Sequence, residues 1–273
     1  MSRLCLAGCV GASLLFATAL QGAETFPTRP LRLIIPFPPG GGTDIIGRMV
    51  AQRLTDAFGV QVVVDNRGGA GGIIGTELAT RADPDGHTLM IGSVSTLCIN
   101  PSLHKNLRFD TTRDLAPISL VASTPSVLVV SSKLAVKSVK DLIALAKAKP
   151  GQLHYATPGS GSSSHLGTEL LKHAAGVDIV HVPYKGTGPA VTDLVSGQVS
   201  MFITNMPSVL PMIKAKRVHA IAVTSLQRSS LMPDLPTVAE SGVPGFEVIV
   251  WYGLLAPAGV PGPIVARVNQ ELR

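Results

Sequence analysis

Charge, aromatic rings and sulfur are all scarce in this sequence, and each scarcity excludes something. Only 15% of the 273 residues are charged and 4% aromatic, while 45% are hydrophobic, mostly Val, Ile, Leu and Ala. That is too apolar for a disordered chain, and the aliphatic bias suits a buried parallel sheet covered by helices. There are three cysteines, and two of them, Cys5 and Cys9, lie in the first apolar stretch. Once that stretch is removed, Cys98 alone remains, so no intramolecular disulfide can form and no cysteine zinc site can be built. The seven histidines are scattered without an HExxH, so no metal site is read. The net charge of +6 comes from dispersed Lys and Arg that are not interleaved with aromatics. No nucleic-acid partner is read from it; a mild attraction for small anions is what such a charge supports.

Missing motifs narrow the chemistry further. No GxxxxGK[ST] is present, and no GxGxxG opens a helix with an acidic residue downstream, so neither a nucleotide nor any other cofactor is read. The serine-rich "GSGSSSHLG" contains no GxSxG elbow, and Ser102 with Lys105 forms an SxxK without its companion motifs. No catalytic residue is assigned. A secreted hydrolase using the serine-rich loop stands as the alternative function.

What is present starts with an export signal. "MSR" gives a positive start and "LCLAGCVGASLLFATAL" an uncharged apolar run, followed by "QGAET". We read residues 1–23 as a signal peptide cleaved near Ala23, with Ala19 as a second cleavage position, and hence a periplasmic mature chain. A retained membrane anchor is the rival reading of the same run. "LAGC" matches a lipoprotein box, but leaves almost no apolar segment ahead of Cys9.

Beyond the signal, strand and helix patterns alternate. "LRLIIP", "VQVVVDN" and "HTLMIGS" read as strands separated by the helices "DIIGRMVAQRLTDAFG" and "GGIIGTELATRA", a βαβαβ unit. A second set runs from "SVLVVSS" through "SVKDLIALAKAKPG", "LHYATP", "SSSHLGTELLKHAAG", "VDIVHVPY", "GPAVTDLVSG", "VSMFITN" and "PSVLPMIKAKR" to "VHAIAVTS". The expected fold class is α/β with two domains, each a sheet flanked by helices. Residues 24–123 plus 250–273 form the first domain and residues 124–249 the second.

Two loops repeat one design. "IIPFPPGGGTDIIG" and "HYATPGSGSSSHLG" each run from a strand through a Pro- and Gly-rich loop into a helix N-terminus. The first turn of a helix leaves N–H groups unpaired at its positive end, and small residues let an anion approach them. One such loop per domain, at the carboxyl ends of strands, would grip an anion across a cleft. "HVPYKGTG" offers a third contact, with Lys185 at a strand end as either a rim charge or a surface lysine.

These segments carry a family resemblance. "FPTRPLRLIIPFPPGGGTD", "VVVDNRGGAGGIIGTELATRADPDGHTLMIGS", "INPSLH", "YATPGSGSSSHL", "VPYKGTGPAVTDLVSGQV" and "WYGLLAPAGVP" resemble the periplasmic solute-binding proteins of tripartite tricarboxylate transporters, the Bug family. The likeness covers the chain after the signal. It implies a type 2 Venus-flytrap fold that captures a carboxylate-bearing ligand between its domains and delivers it to a membrane permease, without catalysis. The implied ligand is a small organic acid: a di- or tricarboxylate, an acidic amino acid or an aromatic acid. The implied binder is a monomer. Carried over, the ligand-binding residues are Phe37, Gly40, Gly41, Gly42, Thr43, Ser95, Ser160, Gly161, Ser162, Ser163, Tyr184, Lys185, Gly186 and Asn205. The chain departs from the family at "TLCINP", where Leu97 would make a cleft wall more apolar. The family also usually continues with further helices on the first domain, which the resemblance implies are missing here.

Overall fold

The computed structural model describes residues 26–273, so the expected signal peptide, residues 1–23, lies outside the described residues. Nine strands, β1 (Leu31–Ile35), β2 (Val62–Asn66), β3 (Thr88–Ser93), β4 (Leu115–Ser131), β5 (His154–Thr157), β6 (Val180–Pro183), β7 (Met201–Asn205), β8 (Val218–Val223) and β9 (Ile249–Pro257), are described. The helices are α1 (Gly42–Phe58), α2 (Ile73–Thr80), α3 (Asn100–Leu103), α4 (Val139–Ala148), α5 (Ser163–Ala175), α6 (Thr187–Ser196), α7 (Met206–Lys214) and α8 (Gly262–Glu271).

The βαβαβ expectation is met: β1 pairs in parallel with both β2 and β3. The second set pairs likewise, with β5 parallel to β6 and to β7. The expected domain boundary between residues 123 and 124 falls inside the 17-residue strand β4. Its first part, Leu115 to Pro125, pairs with β9, and Ser126 to Val130 pair with β7. The strand order β2-β1-β3-β9-β4-β7-β5-β6 therefore joins two half-sheets through one shared strand, with β8 also on β4. The apolar run "SVLVVSS" was legible as a strand, whereas "LAPISLVAST" alternates weakly and carries a proline, which hid its extension.

Each half-sheet is buried on both faces. Along β4, Leu128 and Val130 join one cluster with α4, while Val127 and Val129 join another with α6 and α7. In the first half, Leu31 and Leu33 pack toward α1 and Ile34 toward α2. Alternate side chains point to opposite faces, so a strand covered on both sides reads as an uninterrupted aliphatic run. Every helix that follows a parallel strand thus starts at the same edge of its half-sheet, and these starts build the site.

Candidate functional site

The glycine run ends β1 and starts α1. Gly40 has φ +87°, a left-handed conformation that side chains disfavour. Its N–H donates to Asp44 Oδ2 at 3.0 Å, and the same carboxylate accepts from Arg48 Nε at 3.1 Å and from Asn66 Nδ2 at 2.9 Å. Burial of Asp44 acts to raise its pKa, but the hydrogen bonds from Arg48, Gly40 and Asn66 outweigh it and hold the carboxyl below its ordinary value. The loop is thus tied back onto its own helix. Gly41, the residue before α1, is extended (φ −84°), so backbone angle does not require glycine there. Close approach requires it at Gly42: a Cβ would lie 2.5 Å from Asn205 Cγ and 2.5 Å from the Tyr252 hydroxyl.

The other two helices begin in similar ways. Ser162 precedes α5, and its Oγ accepts from the His165 N–H at 3.2 Å. His165 Nδ1 in turn accepts from the Gly161 N–H at 3.3 Å. Gly186 precedes α6 and donates its N–H to Pro158 O at 3.2 Å, linking the loops that open α5 and α6. Neither α1 nor α6 has a side-chain cap of its own.

The three helix N-termini meet at one cavity of about 40 Å³. Its lining includes Gly41 to Thr43 from α1, Ser162 to Ser164 from α5, and Gly186 and Thr187 from α6. Ser93 and Ser95 close it at the end of β3, Thr204 and Asn205 at the end of β7, and Val250 and Tyr252 from β9. No charged side chain among the described residues lines it. Among the described residues, the backbone N–H groups of Thr43, Ser164 and Thr187 have no protein acceptor. Ser93 Oγ is buried and likewise unpaired. First-turn amides at three positive helix ends, with a free hydroxyl and no cation, make a neutral cradle whose potential favours an anion. The volume suits one small charged group, since a water needs roughly 10–15 Å³ by the same measure.

A wider groove of about 670 Å³ adjoins this cavity, and Phe37, Pro38, Pro158 and Gly186 line both. Its other walls include Pro39, Asn66, the 68–72 glycine loop, His104, Ser160, Tyr184 and Lys185. The Tyr184 hydroxyl donates to Asp193 Oδ2 at 2.7 Å; burial, together with that carboxylate, pushes its pKa up to about 12.

Of the residues expected from sequence, Phe37, Gly41, Gly42, Thr43, Ser95, Ser162, Ser163, Gly186 and Asn205 line the inner cavity. Ser160, Tyr184 and Lys185 line only the outer groove. Gly40 and Gly161 line neither; both have positive φ and shape their loops from behind. Leu97 packs against the core cluster of Ile34 and Met90 and leaves the cleft wall unchanged. The lining residues absent from the expected set are Pro38, Ser93, Pro158, Ser164, Thr187, Thr204, Val250 and Tyr252. The strand-end rule pointed to Thr204 beside Asn205, whereas nothing local marks Val250 or Tyr252, which arrive from a strand remote in sequence.

A hydrolase geometry is absent from the serine loop. Ser162 Oγ caps α5, and His165 Nδ1 faces a backbone amide while its ring stacks 4.3 Å from that of His181.

Comparison with known proteins gives a consistent result. Residues 46–273 match the family described as tripartite tricarboxylate transporter family receptor. Protein BugT of Bordetella pertussis is 43% identical over 251 residues, covering 92% of this chain and 77% of that protein. Among solved structures, R. palustris Rpa4515 with adipate superposes with a TM-score of 0.89 at 38% identity, covering 90% of this chain and 83% of that one. MatC from Rhodopseudomonas palustris with bound malate superposes at 0.85 with 33% identity, covering 90% and 84%.

Proposed function

The chain belongs to the tripartite tricarboxylate transporter receptor family, a family of solute-binding receptors and not of enzymes, and from that premise we propose that it captures a small carboxylic acid outside the cytoplasm for a membrane permease. The observation that carries the reading is the neutral inner cavity where three helix N-termini converge. One carboxylate fits there, accepting from the Thr43, Ser164 and Thr187 amides and from Ser93 Oγ. The rest of the molecule extends into the outer groove between Phe37, Pro38 and Tyr184, past Lys185. Amides recognise a carboxylate whatever it is attached to, so affinity for the head group and choice of ligand are separated in space. The adipate and malate found on the two similar proteins are both dicarboxylates, which supports an organic diacid as the first ligand to try.

We further propose that the half-sheets act as two domains that close on the ligand. The proposed domains keep the bounds read from the sequence, residues 24–123 with 250–273 and residues 124–249, and meet where β4 exchanges β9 for β7 as its partner.

The test is calorimetric titration of protein refolded from denaturant, so that it carries no ligand from the host. Adipate is expected to bind saturably and to be recovered chemically unchanged, while 1,6-hexanediol, which lacks the carboxylates, does not bind. Equal binding of the diol, or turnover of an ester substrate at the serine loop, overturns the reading.

A further inference from the structure

Two of the first-turn amides at the cleft are already occupied, and the pattern of their partners is reciprocal. The Gly42 N–H, at the start of α1 in the first half, donates to Asn205 Oδ1 of the second half at 3.2 Å. The Ser163 N–H, at the start of α5 in the second half, donates to Ser95 Oγ of the first half at 3.0 Å. Each half therefore caps the other's cleft helix. Asn205 is itself held by Ser208 Oγ, which donates to its Oδ1 at 2.8 Å, and by the Tyr252 hydroxyl, which accepts from its Nδ2 at 2.8 Å. Tyr252 is fully buried and Ser95 nearly so. Since α1 has no cap of its own, opening the cleft would leave its first N–H to water.

We infer that Ser95 and Asn205 are positioning residues that latch the two halves together by exchanging helix caps across the cleft. The latch sets the spacing at which the Thr43, Ser164 and Thr187 amides converge, and it uses Gly42 and Ser163 so that it does not compete with the anion for those three. The latch therefore adds to the stability of the closed spacing through contacts that are separate from the ligand's own. This rests on the solute-binding reading for its purpose, but its existence can be tested without a ligand.

The experiment is amide hydrogen exchange, read by NMR at Gly42 and Ser163, in ligand-free refolded protein. Both amides are expected to be protected in the wild type. Ser95→Ala removes the acceptor of Ser163 only. If the two caps form one latch, protection should nevertheless fall at Gly42 as well, by about fivefold, the typical strength of one cap. Asn205→Ala should lower protection at Ser163 in the same way, whereas Ser95→Thr, which keeps the hydroxyl that Ser95→Ala removes, should leave both amides protected. Loss at Ser163 alone in Ser95→Ala, with Gly42 unchanged, overturns the latch. So does unprotected exchange of both amides in the wild type. Adding adipate separates the two proposals: coupled exchange without any response to adipate would keep the latch and reject the carboxylate reading.

Discussion

At the residue scale, two glycines in one run are required for different reasons, and substitution should separate them. Gly42 is where α1 comes against Asn205 and Tyr252, so Gly42→Ala must displace those two side chains and disturb the cleft wall they form. Losing even one charge-assisted hydrogen bond at the cradle, worth roughly 1.5–3 kcal/mol, should weaken ligand binding by about tenfold or more in calorimetric titration. Gly40→Ala meets no atom within 4 Å but must hold φ +87°. It should lower stability by about 1 kcal/mol in urea unfolding with a smaller effect on affinity. Lys185 is exposed on the outer groove, so Lys185→Met should change affinity by less than about tenfold, and by less still as salt rises. A loss of binding in Lys185→Met that exceeded that in Gly42→Ala would mean that a side-chain cation holds the anion.

At the element scale, the site is made of helix beginnings, and their order depends on local caps. Ser162 holds the first turn of α5 through the His165 N–H. Ser162→Ala should therefore cost about 1 kcal/mol of stability in urea unfolding. Because Ser163 and Ser164 are the next two residues, it should also weaken ligand binding. Ser138 makes the same cap on α4, accepting from the Asp141 N–H at 3.1 Å, far from the cleft. Ser138→Ala is the matched control, with a similar stability loss and unchanged binding. If both variants bind normally, the first turn of α5 is not part of the cradle. The spacing of the α4 cap, Ser138 to Asp141, was readable in the sequence, because a cap is a contact between residues three apart.

At the scale of the whole molecule, the packing behind α5 makes stability depend on pH. His165 and His181 stack between α5, β5 and β6, with Tyr155, Glu169 and Lys172 around them. Burial pushes the pKa of both histidines below the ordinary 6.5, opposed by Glu169; His165 adds to the lowering at His181. A base whose folded pKa is depressed favours the folded state above its unfolded pKa, and that contribution is lost as pH falls below it. The melting temperature should therefore drop as pH falls below about 6.5, where the unfolded chain takes up protons that the folded chain refuses. Asp44, whose folded pKa is also lowered, keeps its contribution above 3.8 and loses it only in stronger acid, so it does not confuse that window. His165→Gln with His181→Asn should flatten the slope; an unchanged slope would assign it elsewhere.

The sequence by itself determined whatever depends on neighbours along the chain. Aliphatic runs such as "LRLII" and "VLVV" specify strands buried on both faces, Gly59 and Gly176 stop helices in the left-handed conformation, and Pro- and Gly-rich loops mark helix starts. The loops that open the cradle's helices were legible for that reason, since a helix start exposes amides whatever surrounds it, although Ser164 and Thr187, one residue beyond the expected Ser163 and Gly186, were missed. Only the tertiary structure decided which starts face one another. The union of two half-sheets through β4, the arrival of Tyr252 and Val250 from β9, and the exchange of caps between Ser95 and Asn205 all join residues far apart in sequence. Such contacts leave no periodic or spacing signal. They depend on how two packed bodies dock, and that is set by the buried faces of both at once.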